Sequence, residues 1–123
     1  MLATEVRNYT DIERRLANAP GRVLLSASSA ANGPSVGFRE DALIQDPGAY
    51  IFTMACVGIP YAQIRLTEQV VGGKRDKIFE VDCSATRIEI VQLQAGHVIA
   101  RLIRYDPAGP WTGAVAGIRV SAP

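Results

Sequence analysis

An all-β sandwich, preceded by an N-terminal arm and one short helix, is the fold class this chain predicts. Residues 47–58, Pro-Gly-Ala-Tyr-Ile-Phe-Thr-Met-Ala-Cys-Val-Gly, read as a turn, an alternating strand and a second turn. Tyr50, Phe52, Met54 and Cys56 share one face of that strand; Ala49, Ile51, Thr53, Ala55 and Val57 share the other. Both sets are apolar or small, which places the strand in the middle of a sandwich, covered on both sides. A period of two then recurs from Arg22 to the end of the chain, with turn signals between short runs. The 123 residues fit one domain, large enough to build a core without staples.

The elements follow in order. Residues 1–9 read as an extended arm with Leu2, Val6 and Tyr9 as its apolar points. Thr10-Asp11-Ile12-Glu13 has the form of a capping box, and Ile12 and Leu16 share a helical face. Pro20-Gly21 ends that helix of about two turns, which is too short to stand without a surface to bury it. Residues 1–21 thus form the arm and helix, and residues 22–123 the sandwich. Residues 23–28 read as a strand and Ala31-Asn32-Gly33-Pro34 as a turn. Residues 36–44 are weaker, because Arg39-Glu40-Asp41 interrupts the pattern. After the central strand, residues 61–68 place Ile64 and Leu66 inward and Gln63, Arg65 and Thr67 outward. Val71-Gly72-Gly73-Lys74 leads into a strand over 77–82, and residues 86–93 alternate again. There Ile88 and Ile90 share one face, and the core is expected to hold Phe52, Ile64, Ile88 and Leu102. Gln94-Ala95-Gly96 turns into a strand containing Val98, Ala100 and Leu102. A stiff loop, Asp106-Pro107-Ala108-Gly109-Pro110, precedes a last strand with Ala116, Ile118 and Val120 on one face.

Composition narrows the function classes. The formal net charge is +1, with no excess of either sign to suggest nucleic acid or an acidic membrane as partner. No apolar run approaches the ~18 residues of a membrane span, and residues 1–20 are too charged for a signal peptide. The expected setting is therefore a cytoplasm. The two cysteines, Cys56 and Cys83, lie in apolar or alternating sequence and read as buried thiols. A disulfide between them requires adjacent strands and an oxidising compartment.

The catalytic inventory is thin. His97 is the single histidine and has no companions at metal-ligand spacing; it reads as structural or solvent-facing. Cys83 and Ser84 lack any nucleophile-elbow context. Gly72-Gly73-Lys74-Arg75-Asp76-Lys77 lacks the Gly-Lys-Ser/Thr ending and the following helix of a phosphate loop, so it reads as a solvated hairpin tip. No cofactor and no metal are expected. Trp111, in the loop run Gly109-Pro110-Trp111-Thr112-Gly113, either folds over the end of the sandwich or is exposed as a contact residue.

From Pro47 onward the sequence resembles the jelly-roll domains of the carbohydrate-binding-module and galactose-binding-like group. The resemblance lies in Pro-Gly-x-Tyr-x-Phe-Thr at 47–53 closed by Gly58, in Gln94-Ala95-Gly96 before the strand His97–Arg104, and in the closing run Val115-Ala116-Gly117-Ile118-Arg119-Val120. It covers about three fifths of the chain and is a pattern of fold. Such domains occur beside glycosidases, in phage tail fibres and as capsid decoration, or cement, proteins. With the thin catalytic inventory and the arm and capped helix that precede the sandwich, the resemblance points to a non-enzymatic structural interaction protein of a virion, a capsid decoration or tail-accessory subunit assembled in the host cytoplasm. It would contact copies of itself and a larger shell through Leu2, Val6, Tyr9 and Trp111. The alternative it implies is a carbohydrate-binding or lectin-like module, with a glycan held by Tyr61, Arg104, Tyr105, Asp106 and Trp111.

Overall fold

The computed structural model describes residues 3–34, 37–103 and 108–123. One helix, α1 (Ala3–Ala17), precedes eight strands: β1 (Arg22–Ala30), β2 (Arg39–Ile44), β3 (Gly48–Val57), β4 (Tyr61–Val70), β5 (Gly73–Asp82), β6 (Arg87–Leu93), β7 (Gly96–Ile103) and β8 (Val115–Ala122). They form two four-stranded sheets, ordered β1-β8-β3-β6 and β2-β7-β4-β5. Every pairing is antiparallel. Eight strands in this order make a jelly-roll β-sandwich, two Greek keys closed on each other.

Alternation builds the core. Tyr50, Phe52, Met54 and Cys56 of β3 are buried, together with Ala116, Ile118 and Val120 of β8. From the other sheet come Ile64 and Leu66 of β4, Phe79 and Val81 of β5, and Val98, Ala100 and Leu102 of β7. The rings of Phe52 and Phe79 meet across the two layers with centroids 5.6 Å apart.

One expected core residue is displaced. Ile88 is 60% exposed and Ile90 70% exposed. Val91 and Leu93 are the buried residues of β6, so Arg87 and Glu89 share their inward parity and the two isoleucines face out. The inward charges are accommodated at the open edge of the sandwich. Arg87 Nε donates to Glu89 Oε1 at 2.9 Å, and its guanidinium lies 5.8 Å from the Phe79 ring centroid. The Arg39-Glu40-Asp41 run belongs to β2 rather than breaking it. That strand pairs only with β7, and exposed charges are common on a sheet edge.

The helix starts earlier than the capping pattern at Thr10 predicts. Residues 3–9, expected to be extended, form its first two turns. Thr10 lies mid-helix, its hydroxyl donating to the Val6 carbonyl at 2.8 Å. The helix docks on the outer face of its own sheet, where Ile12 and Leu16 are buried against Ala55 and Val115 and Tyr9 packs beside them. This covers the second apolar face of β3. Gly117 of β8 permits the close approach, since a Cβ there would lie 2.7 Å from Ile12 Cγ2 and 2.8 Å from Leu16 Cδ1. Arg119 Nη1 donates to the Leu16 carbonyl at 3.1 Å, a second donor to an acceptor that the Ala19 N–H already engages at 3.0 Å, and so ties β8 to the helix end. Gly117→Val should push the helix off the sheet and destabilise the protein by about 1–3 kcal/mol or more, read from denaturant melts. An unchanged midpoint would show that helix docking does not depend on this contact.

The cysteines correct a second expectation. Cys56 at the end of β3 and Cys83 just after β5 are joined in a disulfide across the two sheets, and no described cysteine is free. Their apolar surroundings suit a buried thiol and a buried disulfide equally; the sandwich brings them together. Among the described residues no helix is long and apolar enough to cross a membrane.

Candidate interaction surface

Four connections meet at one end of the sandwich: β1–β2, β3–β4, β5–β6 and β7–β8. Backbone bonds knit them. The Ala31 N–H donates to the Ala114 carbonyl at 2.9 Å, and the Cys83 N–H to the Pro60 carbonyl at 3.1 Å. Asn32 grips Thr112 from both sides, its Nδ2 donating to Thr112 Oγ1 at 2.9 Å and its Oδ1 accepting from the Thr112 N–H at 3.3 Å. Gly33, at φ +78°, sits against Trp111, where a Cβ would lie 2.7 Å from the Trp111 backbone nitrogen. The helix closes the same end, with Asn8 Nδ2 donating to the Gly113 carbonyl at 2.8 Å.

Trp111 belongs to this knot. It is half-buried, and its Nε1 donates to the Ala114 carbonyl at 3.1 Å. Its polar handle is therefore used within the chain. Tyr61 opens β4 at this same end and is 41% exposed. The remaining glycan candidates, Arg104, Tyr105 and Asp106, lie outside the described residues, as does Leu2. Of the arm residues, Val6 is exposed while Tyr9 is half-buried on its own sheet. Val6 and Tyr9 thus lie on a helix docked in cis, and Trp111 in the loop at the end that Asn8 of the helix closes.

His97 is exposed on β7, opposite Leu43 of β2. Among the described residues no group of three His, Cys, Asp or Glu side chains is placed to hold a metal ion. The tip between β4 and β5 is exposed, and Arg75 on it is paired with Glu68 at 2.5 Å. Asp82 turns the chain into the β5–β6 connection: the Ser84 N–H donates to its Oδ1 at 2.9 Å, and the Ser84 hydrogen bonds hold its carboxyl below the usual value.

No protein-family model matches the chain, and no curated protein matches it. Among solved structures, the chain is similar to the C-terminal domain of a structural protein from Sulfolobus turreted icosahedral virus. The identity is 10% and the TM-score 0.47, over 80% of this chain and 93% of that one.

Two features escaped the residue-by-residue reading. Arg15 holds the helix to the disulfide, its Nη1 donating to the Cys56 carbonyl at 2.9 Å and its Nη2 to the Cys83 carbonyl at 3.3 Å. The other is an apolar face beside the helix. Ile90 pairs with Ile51 and Ile88 with Thr53 in the β3–β6 ladder, so Ile51, Ile88 and Ile90 are contiguous on the outer surface. The helix packs over β8 and β3, Ile88 and Ile90 of β6 stay exposed, and among the described residues β6 pairs with β3 alone.

Proposed function

We propose that this chain is a non-enzymatic structural subunit that assembles with copies of itself, in a virion, as a capsid decoration or tail-accessory protein. The virion setting rests on the jelly-roll resemblance of residues 47–123. Self-association rests on one observation: two isoleucines, 60% and 70% exposed, on the outward face of an edge strand. An edge offers unpaired backbone donors and acceptors, a template for another strand. Strand β6, Arg-Ile-Glu-Ile-Val-Gln-Leu, carries no lysine or proline, and its two charges, Arg87 and Glu89, pair with each other within the strand. A second copy meeting it by antiparallel pairing about a two-fold axis would extend the sheet and bring Ile88 and Ile90 of the two copies together on its outer face.

The double substitution Ile88→Ser, Ile90→Ser tests this. Both side chains are exposed, so the melting midpoint should stay within a few degrees, corresponding to about 0.5 kcal/mol per site. The sedimentation coefficient should fall to that of a monomer. Association that survives the substitution would remove the support for this face. Retention on a glycan array, abolished by Trp111→Ala or Tyr61→Ala, would instead favour the carbohydrate-binding reading at the knotted end.

A further inference from the structure

The outer face of the second sheet carries a row of three arginines that neither sequence spacing nor local pattern reveals. Arg39 of β2 pairs with Arg101 of β7, and Arg101 pairs with Arg65 of β4. Neighbouring strands lie about 4.8 Å apart, so the row places three cations side by side across roughly 10 Å. Like charges directly opposite one another in a sheet repel, which makes this arrangement unfavourable in the chain alone. Among the described residues the ion pairs engage Arg14, Arg15, Arg75 and Arg87, and none engages these three. Arg65 adds an independent observation: its Nε is buried and makes no hydrogen bond. A buried, unused guanidinium N–H on a row with two further arginines is a site short of an acceptor.

We propose that Arg65 and Arg101, with Arg39 at the sheet edge, form a binding site for one compact oxyanion, a phosphate or sulfate group. Guanidinium forks match the geometry of such oxyanions and bind them through paired N–H donors. The neighbouring rows set the size of the ligand. On one side lie Asp41, Ile99, Thr67 and Asp76, and on the other Ile103, Gln63 and Glu80. Thr67 Oγ1 donates to Asp76 Oδ1 at 2.6 Å, fixing that carboxylate within its own row. The arginine row thus lies between rows with acidic residues, and Lys74 stands two rows away, beyond Asp76. A long polyanion crossing the face would run over Asp41, Asp76 or Glu80, whereas one tetrahedral anion fits the row.

The test is a thermal melt of the full chain in inorganic phosphate against sodium chloride at matched ionic strength, which removes general screening. At a free phosphate concentration about five times its Kd, the midpoint should rise by about 3–5 °C. Arg65→Gln and Arg101→Gln should abolish that rise, and Lys74→Gln at the hairpin tip should keep it. Equal rises in all four proteins, or none in the wild type, would overturn the site. Should either arginine variant fail to fold, amide NMR shifts of the wild-type protein on phosphate titration decide instead: they should centre on residues 39, 65 and 101, and a scattered response overturns the proposal. Inorganic phosphate and a phosphomonoester should saturate alike, because the shared group is what binds. A short single-stranded oligonucleotide that binds at far lower concentration, with steep salt dependence, would contradict the compact-anion assignment.

Discussion

Phe52→Ala should lower the stability of this protein by about 3–5 kcal/mol, the largest effect expected of any single truncation. Phe52 is fully buried and stacks obliquely on Phe79 from the facing sheet. Phe52 hangs from a central strand, between β8 and β6 partners, and Phe79 from the edge strand β5, opposite Ile64 of β4. Such a frame does not collapse into the space a lost ring leaves, so the cavity term adds to the transfer term. The melting midpoint should fall by more than about 10 °C. Phe79→Ala should act similarly, and the double variant should lose less than the sum, because each ring is the other's neighbour.

Removing the disulfide should rank with that loss. The bond closes a loop of 27 residues in sequence separation, for which the chain-entropy relation gives about 3.5 kcal/mol. It also joins the two sheets at the end where Arg15 ties down the helix. Reducing agent should therefore lower the melting midpoint of the wild type by roughly 10 °C and leave the double variant Cys56→Ala, Cys83→Ala unchanged. A wild-type midpoint indifferent to reductant would mean that the cysteines fold as separate thiols.

How much of this was legible in the sequence varies by element. The central strand was readable because both its faces are unambiguous: large apolar residues on one, small residues on the other. Strand β6 was not, because isoleucines occupy one parity and the Val91/Leu93 pair the other, and only pairing with β3 decides which faces in. The helix carried a readable signal that the capping pattern masked. Tyr9, Ile12 and Leu16 recur at helical spacing, whereas an isolated Thr10 box competes with a hydroxyl that bonds back along the helix. The disulfide, the Asn32–Thr112 grip and the arginine row share a different reason. Each joins residues far apart in sequence, and no local rule specifies a partner 27, 80 or 36 positions away. Trp111 fell between the two cases: its loop was evident, and its turn inward depended on the Ala114 carbonyl.

The docked helix also changes which surface is free for assembly. An arm reaching to a neighbour was the expected contact; a helix bonded to its own Gly113, Cys56 and Cys83 carbonyls is held in cis. The weight shifts to the uncovered isoleucines of β6, and the two segments make separable predictions.

The most direct test of the account is the mass of the full chain in solution, measured by light scattering after gel filtration at tens of micromolar. A subunit that pairs through β6 should give a discrete mass at a whole-number multiple of 13.2 kDa, dissociating on dilution. A single 13.2 kDa species at every concentration would contradict self-assembly as the protein's role.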